Sequence, residues 1–191
     1  MNSDRFSEAI RRFDAANAEE PKQVVYAQKM TEWLGRLYPN ASEPLRLAAR
    51  SQHIRRWMIP RSDYPMTRAG YHKWRTGLYD FHAKTAGEIL TGCGYDPETI
   101  AQVQSLLRKE RLKTNPDMQA LEDVICLVFL ENELPDFAPR HDEPKLLTIL
   151  RRTWAKMSPH GHEAALSLKF SPEISALIAK ALGKSDDQTV S

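Results

Sequence analysis

"GCGYDPETIAQVQSLL", residues 92–107, decides the fold class. Gly92 and Gly94 break the preceding segment. Asp96 then offers a side-chain oxygen to the free N–H groups of a new helix, and Pro97 suits its first helical position. Ile100, Val103, Leu106 and Leu107 recur at helical spacing behind them. Upstream, the stripe Tyr71, Trp74, Leu78, Phe81 and Ile89 predicts a longer helix from about Arg68 to Thr91. Downstream, "NPD" at 115–117 repeats the cap-and-proline device and predicts a helix through about Asn132.

The flanks read the same way. Phe6, Ala9, Ile10 and Phe13 share one helical face, as do Met30, Trp33, Leu34 and Leu37. Ser42 is an N-cap for "EPLRLAARSQHIRRW", with Pro44 tolerated in the first turn. Past a loop rich in proline and charge (133–144), "PKLLTILRRTWAKM" is helical, and Ser171-Pro172 opens a last helix through Leu182. "SPHGH" at 158–162 reads as a loop with two surface histidines. No segment alternates as a strand would. The expectation is an all-α single domain over residues 1–184, with a frayed tail at 185–191.

Composition narrows the class further. The 191 residues are 41% hydrophobic and 27% charged, a balance typical of one soluble domain. A net charge of +2 gives no argument for nucleic acid as the principal partner. Cys93 and Cys126 form no zinc-type spacing, which suits a reduced, cytoplasmic protein. The longest apolar run, "VICLVFL" at 124–130, is far short of a membrane span, so no membrane partner is expected. A Gly-rich phosphate loop, a G-x-S-x-G elbow and an activated-cysteine motif are all missing from the sequence.

Helical phase then places the candidate site residues. Leu45, Ala48, Ala49, Gln52, His53 and Arg56 fall on one side of a helix, which turns His53 inward. His82 continues the stripe of Tyr71, Trp74 and Leu78 and also faces inward. Glu122 and Asp123 open an apolar helix, where unpaired carboxylates are costly. The histidines could partner these acids, or all could share a cation. Each alone also fits a core histidine or a carboxylate set against a helix dipole. Arg55, Arg56, Arg61, Arg68, Lys73 and Arg75 crowd the adjoining Pro loop among Trp57, Tyr64, Tyr71 and Trp74. Guanidinium forks suit phosphate oxygens and aromatic faces suit a base, with Arg56 and Arg61 the leading candidates.

The order of these pieces resembles HD-domain phosphohydrolases. "LRLAARSQHIRRWMIPRSDYP" is similar to the helix and loop that carry their His-Asp pair, "FHAKTAGEILTGCGYDPETIAQVQSLLRKE" to the next helix pair, and "LEDVICLVFL" to the later helix with the last metal-binding aspartate. The resemblance spans about residues 20–132 and leaves the helices at about 144–182 outside it. It implies a divalent metal held by His53, His82 and Asp123, with Glu122 accepting the proton of a bound water. Lys109 falls where some relatives carry another histidine. Two departures stand out: Ile54 replaces the aspartate of the pair, and "VVYAQKMTEWL" has Tyr26 and Gln28 but no histidine.

A second resemblance covers nearly the whole chain. "FDAAN", "YAQKMTEWL", "AARSQHIRRWMIPRSDYPMTRAGYHKWRTGLYDFHA", "LEDVICLVFLE" and "RRTWAKMS" resemble the domain of unknown function 4202 family, which brings no activity with it. The leading expectation is therefore a metal-dependent phosphohydrolase acting on a nucleotide or other small phosphorylated molecule, with Arg56, Arg61, Arg68 and Lys109 on the phosphate. Its rivals are a non-catalytic nucleotide- or RNA-binding module, and a structural helical interaction protein.

Overall fold

The computed structural model describes residues 2–110 and 114–183, so the expected tail lies outside the described residues. It is all-α: α1 (Asn2–Asn17), α2 (Pro21–Leu37), α3 (Glu43–Ser51), α4 (Arg68–Gly92), α5 (Pro97–Leu107), α6 (Pro116–Val128), α7 (Leu134–Phe137), α8 (Glu143–Trp154), α9 (Pro159–Leu166) and α10 (Pro172–Ala181). Among the described residues no strand occurs, and no helix is long and apolar enough to cross a membrane.

Local chemistry sets the helix starts. The side chains of Ser42, Asp96, Asp142, Ser158 and Ser171 each accept a hydrogen bond from a first-turn N–H, and each helix carries proline in its first two positions. Thr67 caps α4 in the same manner, without the proline. Such caps satisfy donors that a helix start otherwise leaves free.

Two of these starts correct the sequence reading. Ser158-Pro159 opens α9, so "SPHGH" is helical, and His162 stacks half-buried on Trp154 with centroids 3.9 Å apart. The helix from Ser42 stops at Ser51, so His53 lies in the turn beyond α3. Arg55, beyond the Gln52 cap of α3, takes up φ 51°, a left-handed conformation that leads into the 3-10 turn Arg56–Met58. Toward the C-terminus, α6 gives way to a π-turn at Phe129–Glu133, and α7 occupies part of the expected loop.

The chain divides into two compact units, Met1–Leu121 and Glu122–Ser191. In the first, α1 packs on α2, α3 and α4, α2 on α3, and α5 on α3 and α4. Phe13, Met30, Leu34, Leu45, Ile54, Leu78, Leu90 and Leu107 are fully buried there. Each side chain of this kind contributes roughly 1.5–3 kcal/mol relative to exposure. Arg50 ties three helices together: it donates to both carboxylate oxygens of Asp14 (2.8 and 2.6 Å) and to Thr31 Oγ1 (3.2 Å). Gly87 lets α5 approach α4, because a Cβ there would lie 2.3 Å from Gln104 Nε2, which donates to the Ala83 carbonyl.

In the second unit α8 packs on α10. An apolar cavity of about 240 Å³ is lined there by Leu150, Trp154, Leu166, Phe170 and Ile178 among others. Asp123 is fully buried and takes two hydrogen bonds from Ser158, one from its N–H (2.7 Å) and one from its hydroxyl (2.5 Å). Ser158 Oγ in turn accepts from the Gly161 N–H, so the cap of α9 rests on Asp123. A side chain at Gly161 would put Cβ 2.8 Å from the Asp123 carboxyl, which explains the glycine.

Candidate anion-binding site

Four segments of the first unit converge on His53. Tyr26 comes from α2, His53 and Arg56 from the turn after α3, Arg75, Tyr79 and His82 from α4, and Lys109 from the end of α5. The Tyr26 and His53 rings stack at 4.1 Å with 14° between their planes. The His82 ring is tilted against His53, with centroids 6.0 Å apart. Arg56 sits 4.8 Å over the Trp74 ring, whose indole N–H is fixed on the Ile59 carbonyl at 2.9 Å. Arg75 bonds the Tyr79 hydroxyl, and Lys109 stands 5.6 Å over the face of the same ring.

The backbone bends specifically to bring two of these segments in. Arg55 (φ 51°) and Lys109 (φ 59°) are the left-handed non-glycine positions among the described residues. At each, a bulky residue carries a strain of about 1–2 kcal/mol that glycine would avoid. The buried Asn17 holds the first turn by accepting the Arg55 N–H at 2.9 Å. The second is closed by Glu110 N–H on the Ser105 carbonyl, the usual bonding of a left-handed helix end.

Both histidines are neutral at physiological pH. His53 keeps a little solvent access, yet burial and then the charges of Arg56, His82, Lys109 and Arg75 hold its pKa well below 6.5. Burial lowers that of His82 to about 4, against a hydrogen bond to the Ile54 carbonyl and aided by Arg56. A carbonyl only accepts, so the 2.8 Å contact puts the His82 proton on Nδ1. Its Nε2 is left as a buried acceptor with no partner. Ile54, fully buried where an HD pair would place its aspartate, thus contributes through its backbone.

The other expected residues are placed as follows. Arg61 spends its guanidinium on the carbonyls of Tyr64 (2.9 Å) and Pro65 (2.8 Å), closing its own loop. Arg68 is exposed in the first turn of α4. His53 and His82 belong to Met1–Leu121, while Glu122 and Asp123, both buried, belong to Glu122–Ser191. Among the described residues no group of three or more His, Cys, Asp or Glu is disposed to hold a metal ion.

A family model described as a domain of unknown function (DUF4202) matches residues 7–178. The chain belongs to the DUF4202 family. No curated protein and no solved structure matches it. In this DUF4202 chain the matched span takes in every residue of the cluster around His53.

Tyr79 was not singled out, Arg75 was named only within the basic run, and Tyr26 only where a histidine was missing. The i, i+4 pairing of Arg75 with Tyr79 is the local signal that could have found Tyr79. Ser158, which holds Asp123, was readable as a cap but not as the partner of a residue 35 positions away.

Proposed function

We propose that the His53 cluster binds the phosphate group of a small phosphorylated molecule. One observation carries the reading: Arg56, Lys109 and Arg75 are gathered around His53 from three segments, and all three stand over aromatic rings. Cations gathered in a partly desolvated place suit a phosphate dianion. Arg56 supplies a forked donor, while Lys109 and Arg75, whose Nε and Nη1 are held by the Tyr79 and Tyr71 hydroxyls, add positive charge. The stacked Tyr26–His53 pair offers an aromatic wall for the rest of the ligand. Calorimetric titration with ribose 5-phosphate and with inorganic phosphate tests the reading. Binding that weakens with salt and falls at least tenfold in Arg56→Gln supports it, and heatless titrations of both ligands refute it.

Metal-assisted hydrolysis of the same ligand is the second reading. The posture of His82 favours it, since a ring fixed through Nδ1 to a carbonyl with Nε2 free is how histidine presents itself to a metal. Two neutral imidazoles among three cations fit a divalent ion poorly, and the phosphate-binding reading includes no metal step. Thermal unfolding with manganese, iron(II), zinc or magnesium separates the two: a saturable, His82-dependent rise belongs to the metal reading alone.

A further inference from the structure

The side chain of His82 is fixed with more definition than phosphate binding requires. Nδ1–H is committed to the Ile54 carbonyl at 2.8 Å, so the ring cannot offer a proton from Nε2 while neutral. Nε2 is buried and has no partner, in a residue only 2% exposed. Protein interiors rarely leave such an acceptor unsatisfied, because its lost hydration is not recovered. Arg56 acts on this ring by its charge, yet gives Nε2 no hydrogen bond. His53, whose ring centroid lies 6.0 Å from that of His82, and Arg56, whose charge reaches it, are both only half-buried. A ligand would reach Nε2 where these half-buried side chains give way.

We propose that His82 Nε2 accepts a hydrogen bond from a hydroxyl on the ligand, making the preferred ligand a polyol or sugar phosphate rather than an alkyl phosphate. The inference rests on the phosphate reading above and adds the second recognition point. The oxygens of a phosphate monoester dianion carry no proton, so they meet the cations and leave Nε2 unsatisfied. A neighbouring C–O–H satisfies it. Sites built to accept from a substrate hydroxyl discriminate strongly against the analogue without it, because the protein acceptor is then left unpaired.

The test compares glycerol 3-phosphate and ribose 5-phosphate with propyl phosphate, which has the phosphate and the carbon chain but no free hydroxyl. Titrations are run on the full chain at pH 7.5. Wild type is expected to bind at least one hydroxyl-bearing ligand tenfold or more tightly than propyl phosphate. His82→Phe removes the acceptor and should bring the ligands level while Arg56-dependent phosphate binding persists. His82→Gln keeps an acceptor oxygen and should recover part of the preference. This inference alone is overturned if all the phosphates bind wild type equally, or if the preference survives in His82→Phe. Should His82→Phe fail to fold, the wild-type comparison still decides whether a hydroxyl is read. If none of the phosphates binds, the phosphate reading fails and this inference falls with it.

Discussion

His82 Nδ1 donates to the carbonyl of Ile54 at 2.8 Å, across 28 positions of sequence. That contact joins the middle of α4 to the turn after α3 and fixes the tautomer of a buried ring. Burial, working against that contact, makes the ring costly to protonate. With the folded pKa near 4 and an unfolded value of 6.5, the unfolded chain takes up the proton first as pH falls. The stability is present in full above 6.5 and is lost progressively down to about 4. The loss amounts to roughly 3 kcal/mol. Urea unfolding between pH 7.5 and 4 should show this decline, with a shallower slope in His82→Phe. Equal slopes would remove His82 as its source.

The left-handed turn at Arg55 predicts a gain in stability. Arg55→Gly keeps the N–H bonded to Asn17 and relieves the strain at φ 51°. About 1 kcal/mol is expected, seen as a rise of roughly 2–4 °C in Tm. Lys109→Gly should be stabilising for the same reason, yet it removes a cation from the cluster. It should therefore raise Tm while weakening phosphate binding. A loss on both counts would contradict the account of Lys109.

Asp123 and Ser158 form a coupled pair in the second unit. Ser158→Ala removes one donor to Asp123 and the acceptor for the Gly161 N–H, with an expected cost of about 1–2 kcal/mol. In a double-mutant cycle with Asp123→Asn the two effects should fall short of additive by at least 0.5 kcal/mol, on the order seen for contacting groups. Additivity would show that the contact carries no energy.

Gly161 predicts a clash in the same place. Gly161→Ala sets a methyl 2.8 Å from the Asp123 carboxyl and should lower Tm. Asp123→Ala in the same chain should restore part of the loss, because it removes the atoms that collide.

The sequence exposed its helix starts because a cap and its proline lie within a few residues of the donors they serve. Asp96-Pro97 and Ser171-Pro172 read directly as α5 and α10, and the same rule applied to Ser158-Pro159 yields α9. Glycine and two histidines after that proline pointed to a loop instead. Helix ends were less legible. Arg55 and Lys109 take the conformation that sequence rules reserve for glycine or asparagine, so the turn that carries His53 read as one more turn of helix. The basic residues near the Pro loop were visible as a run. Their sorting was not, because Arg61 turns back onto its own loop while Lys109 joins Arg56 from beyond the end of α5. Such sorting depends on how α4 and α5 pack, which no local pattern contains.

Titration of the wild-type chain with ribose 5-phosphate at pH 7.5, beside Arg56→Gln and Lys109→Gly, tests the central claim most directly. The account predicts saturable binding to wild type that weakens as salt rises, and at least a tenfold loss in each variant while both remain folded. Heatless titration of wild type, or binding that neither substitution alters, would contradict it.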